Sequence, residues 1–172
     1  MATQLSSVVI NYFSKGLSTL QHILQKAEEH AASQGKDATA EFIDAKLIDD
    51  MKPLTFQVQN STSTVRKTLY RLQGQEDQPW EDNEKTFADL YARVEKARKL
   101  IQDADQGKID ELADSEVDLP LGPTTLKTTA RESALNQGIP NFSFHLITAY
   151  AILRSKGVPV GKRDFIGSFL GF

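Results

Sequence analysis

The chain has 172 residues, 40% hydrophobic and 25% charged, with a net charge of −3 at neutral pH, the size and balance of a single domain, 1–172, that buries its own core. It has no cysteine, which excludes a disulfide framework, a thiolate nucleophile and a zinc ribbon. The lysines and arginines are dispersed rather than clustered, so no nucleic-acid partner is expected, and no apolar run approaches the ~20 residues of a membrane span, so no membrane partner and a cytoplasmic location are expected.

From about Gln4 to Ser33, Leu5, Val8, Val9, Tyr12, Phe13, Gly16, Leu17, Leu20, Ile23, Leu24 and Ala27 recur at helical spacing. The pattern predicts a long amphipathic helix. Gly16 costs about 1 kcal/mol against alanine there, a cost that close approach of another helix explains. Val8, Phe13 and Leu17 extend the apolar surface beyond one stripe, which points to a homodimer burying a second face. Gly35 ends the helix as a C-cap, and Ala38 to Ala45 reads as a short helical approach anchored by Phe42 and Ile43.

A second long helix is expected from about Leu47 to Leu72, with Leu47, Met51, Leu54, Val58, Val65, Leu69 and Leu72 on its stripe. Pro53 either sits near its start, at Met51, or kinks it. Gln73 to Pro79 is a polar loop that exits at Trp80, the chain's one tryptophan. Asp82 and Asn83 offer N-caps for a third helix with Phe87, Leu90, Val94, Ala97 and Ile101 inward. Residues 104–138 read as a long connection, with two short strands around Glu116–Leu119 and Thr124–Thr128.

Pro140 opens a fourth helix and Gly157 closes it. Beyond it, Lys162, Arg163 and Asp164 lead to an apolar end of Phe165, Ile166, Phe169, Leu170 and Phe172, expected to pack back on the body. The fold class expected is all-α: a four-helix bundle whose first three helices are antiparallel neighbours on short loops, with a long crossover connection before the fourth.

No phosphate-binding glycine loop, HExxH pair or serine–histidine triad spacing is present. The residue least explained by folding is His145, an imidazole on the apolar stripe of Phe142, Ala149 and Ile152. Such a histidine is either a satisfied core group or an acid/base. Asp50 and Gln57, seven residues apart on the expected second helix, would share a face. If that face meets the fourth helix, a carboxylate, an amide and an imidazole converge in the core, where bundle sites are built. Asp50 would then orient His145 or hold a metal with it, unless it serves only the dipole of the helix start. Tyr12, Tyr150 and His22 are further candidates for lining a ligand pocket, whereas His30 reads as solvated.

The segment Ile139 to Gly167, IPNFSFHLITAYAILRSKGVPVGKRDFIG, together with LQHILQKAEEH and LIDDMKPLTFQVQ, resembles an uncharacterised branch of the DinB/YfiT-like superfamily of small four-helix bundles. That resemblance implies a metal site of three histidines, one on the second helix and two four apart on the fourth. His145 occupies the second position of the pair, but Asn141 stands at the first, and the second helix offers Asp50 and Gln57. The resemblance therefore implies a degenerate or lost metal site, with His145, Asp50 and Asn141 as an oxygen-rich remnant if a divalent metal is bound.

It also implies a small-molecule enzyme of isomerase, lyase or transferase type with a polar pocket around His145. The alternatives are a non-catalytic ligand-binding or dimerising scaffold and a divalent-metal-dependent hydrolase. An enclosed polar cavity reaching His145 and Asp50 would favour the enzyme; a filled core with an apolar outer patch would favour the scaffold.

Overall fold

The computed structural model describes residues 3–172. Its helices are α1 (Leu5–Ser33), α2 (Ala38–Phe42), α3 (Leu54–Leu72), α4 (Phe87–Gln102), α5 (Gln106–Glu111), α6 (Ala130–Ser133), α7 (Ile139–Ser155) and α8 (Lys162–Leu170). A hairpin of β1 (Glu116–Leu121) and β2 (Thr124–Thr129) precedes α6. The protein is thus mostly helical with a small antiparallel sheet, in which Glu116 pairs with Thr129 and Leu121 with Thr124 around Gly122, whose φ is +62°.

The long helices α1, α3, α4 and α7 enclose one core. α3 packs against α7 and α4, and α1 packs against α7 and α4, whereas α1 and α3 face each other diagonally with slight contact. Side-chain bonds give the directions. Arg93 to Thr62 and the Asp105 N–H to Gln73 advance together, so α3 and α4 run parallel. Tyr91 to Glu28 and Arg98 to Ser18 run oppositely, making α4 antiparallel to α1.

The expectation of antiparallel neighbours on short loops is thereby corrected. Residues 43–53 and α2 carry the chain across the diagonal. Residues 73–86 then return alongside the bundle: extended, they can reach about 45 Å, ample for the roughly 24 Å length of α4. Two buried arginines pin this return. Arg66 clasps Asp77 at 2.7 and 3.0 Å. Arg93 reaches Glu84 at 2.7 Å, Asp82 at 2.7 Å, the Glu81 carbonyl at 2.8 Å and Ser63 at 2.9 Å. Trp80 lies against Arg66, Arg93 and Lys96 at 5.3, 5.5 and 4.4 Å, so cations hold the ring from several sides.

Several boundaries move for local reasons. Pro53 is the extended N-cap of α3, so the helix begins at Leu54, and Leu47 to Met51 form bends and turns outside it. Thr86 caps α4 in a reciprocal pair with Asp89, a stronger device than Asp82 or Asn83 provides. Pro140 stands in the first two positions of α7, as expected, but the helix does not start from extended backbone. The backbone is helical from Ala130, passes through a π-turn at Ala134–Gly138, and continues into α7. The wider turn accommodates a residue with no N–H to donate.

The glycine in the stripe of α1 behaves as expected: a β-carbon on Gly16 would collide with the Phe142 ring of α7. Phe13 and Leu17, read as parts of a second apolar face, are instead fully buried in the core, while Val8 is exposed. α8 folds back on α1, placing Phe169 5.4 Å from Tyr12 and Phe165 5.6 Å from Tyr150. Leu170 and Phe172 remain exposed. Phe144 and Ile147, 57% and 51% exposed, form the apolar outer face of α7.

Candidate functional site

His145 lies in the seam between α3 and α7 and is 8% exposed. Its Nδ1 is 2.8 Å from Gln57 Oε1. Gln57 Nε2 donates to the Lys52 carbonyl at 2.9 Å, which turns the amide oxygen toward the ring. Because that oxygen can only accept, Nδ1 carries the proton and Nε2 keeps its lone pair. The Phe144 and Phe56 rings stand edge-on to the imidazole at 5.3 and 5.9 Å. Burial holds the imidazole below its ordinary pKa, so it is neutral near pH 7.

One turn earlier on α7, Asn141 Nδ2 donates to Thr64 Oγ1 of α3 at 2.7 Å. One turn earlier again, Gly138 of the π-turn abuts Thr68. A β-carbon there would lie 2.7 Å from Thr68 Oγ1, so glycine is what lets the two segments touch. Thr68 Oγ1 is itself buried without a hydrogen bond.

This end of the seam opens into a groove of 460 Å³. Its floor is a polar stripe of α3, Asn60, Thr64, Lys67 and Arg71, at the three- and four-residue steps of one helix face. β1 forms one wall through residues 117–120, and Gln137 and Asn141 form another. The volume is that of a small-molecule site. His145 does not line it.

The structure brings Gln57, Asn141 and His145 to one seam. It does not bring Asp50 there, because this residue lies in the exposed turn before α3 rather than on the helix, and no hydrogen bond or ion pair joins it to His145. The partner that orients the imidazole is Gln57. Tyr12 meets Ser143 at 2.7 Å and His22 meets Asp164 at 2.9 Å, both on the α8 side of the bundle. Tyr150 packs on Phe165. His30, near the end of α1, meets the Gln34 amide at 2.9 Å.

Burial raises Asp164, but hydrogen bonds from His22 and the Gly161 N–H outweigh it and hold the carboxyl below its usual range. These side chains join α8 to the body and do not line the groove. Thr64, Lys67, Arg71 and Gln137 were not singled out from sequence. The four-residue spacing of Lys67 and Arg71 with no acid on their face was the available signal.

Residues 5–166 match the family described as a domain of unknown function, DUF1993. The chain belongs to the DUF1993 family. Among curated proteins none matches this DUF1993 chain. A solved structure, described as a DinB family member protein from Shewanella denitrificans, is similar over 96% of both chains at 30% identity and a TM-score of 0.83. A DinB-like fold follows for this DUF1993 protein.

The residues of the DUF1993 seam do not fit a tight divalent-metal centre. His145 offers only Nε2, Asn141 gives its amide N–H to Thr64 and has only Oδ1 to offer, and Gln57 is committed to His145 and Lys52. Among the described residues no three side chains of His, Cys, Asp or Glu gather as a ligand group, which thiolate, imidazole and carboxylate chemistry would require. No helix among them is long and apolar enough to cross a membrane.

Proposed function

We propose that this protein is a DinB-like four-helix bundle that binds a small polar molecule in the groove between α3, the hairpin and the π-turn. The groove itself carries this reading. It has 460 Å³ of volume beside Asn141, one turn from His145, on the face where the DinB-like resemblance implies a site. The hydrogen-bonded pair Asn141–Thr64 forms its inner end, and the His145–Gln57 pair lies one turn further along the seam, outside the groove. A π-turn at its edge is the kind of helix irregularity that often accompanies a site. The test is a ligand-observed NMR screen of polar metabolites against wild type and Gln137→Trp, whose indole would fill the groove. Binders should disappear in the variant while its thermal midpoint is retained; binders indifferent to the indole would refute the reading.

A second reading, acid/base catalysis by His145, is supported by one observation. The Gln57 amide fixes the proton on Nδ1 and leaves a neutral Nε2, the state in which an imidazole accepts a proton. Any turnover found with a groove ligand should then vanish in His145→Gln while binding persists.

A further inference from the structure

We propose that the ligand of the groove carries an oxyanion, a carboxylate or phosphate, held by Arg71 and Lys67. The inference rests on the groove being a small-molecule site and names the class of molecule it takes.

The charge arrangement in the groove is asymmetric. Four charged residues line it: Lys67, Arg71, Asp77 and Asp118. Both acids are already committed. Asp77 is held by both arms of Arg66, and Asp118 faces Lys127 at 3.3 Å. Neither base has a partner: among the described residues no ion pair or hydrogen bond engages the side chain of Lys67 or Arg71. They stand four residues apart on one face of α3, where like charges repel.

Arg71 is only partly exposed. Burial pulls its guanidinium below its ordinary value, against the opposing influence of Asp77. A partly buried arginine with no anion bonded to its guanidinium is an unfavourable arrangement that a bound anion relieves, and its planar fork suits the two oxygens of a carboxylate or phosphate. Neighbouring groups are polar and uncharged. The Thr64 hydroxyl accepts from Asn141, leaving its own hydrogen free to donate. The Gln137 amide faces them from the π-turn. The geometry suits a molecule with an anionic group near Arg71 and a polar, uncharged group near Asn141.

The experiment is an NMR titration of ¹⁵N-labelled full-length protein at low ionic strength, following the Arg71 Nε–H and the Gln137 and Asn141 side-chain amides. The probes are succinate, inorganic phosphate and the uncharged isostere succinamide, with sodium chloride as the ionic-strength control. A saturable shift of Arg71 with succinate or phosphate, weakened roughly tenfold or more in Arg71→Gln and in Lys67→Gln, is the expected result. A carboxylate response without a phosphate response identifies the first source, and the reverse identifies the second. If succinamide shifts Gln137 and Asn141 as strongly as succinate does, the oxyanion assignment is overturned while the small-molecule groove stands. If neither they nor phosphate shifts any groove resonance beyond the sodium chloride control, both are overturned.

Discussion

Replacing Gln57 by leucine removes the acceptor of the His145 Nδ1–H in a seam where the two residues are 2% and 8% exposed. A buried donor left without a partner costs about 1–3 kcal/mol. Replacing His145 by leucine instead strands the Gln57 carbonyl, at a similar cost of about 1–3 kcal/mol. The double leucine variant strands neither group and should be close to wild type, so the two single costs together should exceed the double by about 2 kcal/mol or more. Urea unfolding of the four proteins reads this directly, since a slope of about 2 kcal/mol/M places each single midpoint roughly 0.5–1.5 M lower.

The cycle also has a pH signature. His145 is depressed below its ordinary value of 6.5 by burial, so between its folded and unfolded pKa values the unfolded chain holds the extra proton. Its contribution is fully present above about pH 6.5 and drains away as pH falls, by up to about 1.4 kcal/mol per unit. Wild type should therefore lose stability between pH 7 and 5 more steeply than His145→Leu. Single costs that add within about 0.5 kcal/mol, or identical pH slopes, would refute a buried Gln57–His145 pair.

Two packing predictions follow the same logic. Gly16→Ala should gain about 1 kcal/mol of helix propensity yet lose about 1–3 kcal/mol to the clash with the Phe142 ring. The net loss should be relieved by Phe142→Leu in thermal unfolding, and a stabilised single variant would contradict the close approach. Arg93→Met leaves the Glu84 carboxylate, 9% exposed, without its cation and should cost about 3–5 kcal/mol. Hydrogen exchange should quicken across residues 73–86; protection unchanged there would show that the arginine does not hold the return segment.

The sequence by itself determined the long helices, because apolar residues at three- and four-residue steps can be buried only on a helical face. It also indicated two short extended segments in residues 104–138, though not that they pair as a hairpin around Gly122. The close approach at Gly16 was legible for an equally local reason. What the sequence could not fix was which helices are neighbours. Periodicity identifies a buried face but not its partner, and residues 73–86 are long enough to return the chain and set α4 parallel to α3.

That choice rests on Arg66 of α3 and Arg93 of α4 meeting acids of the return segment nine to eleven residues away in the chain. The site followed suit. Asp50 and Gln57 share a face only if the helix extends through both, and Pro53 starts it after Asp50, leaving Gln57 alone to reach His145. Lys67 and Arg71 were not distinguished from the other dispersed charges of the sequence. Only the hairpin and the π-turn, closing over that stripe in three dimensions, made them the unpaired cations of a groove.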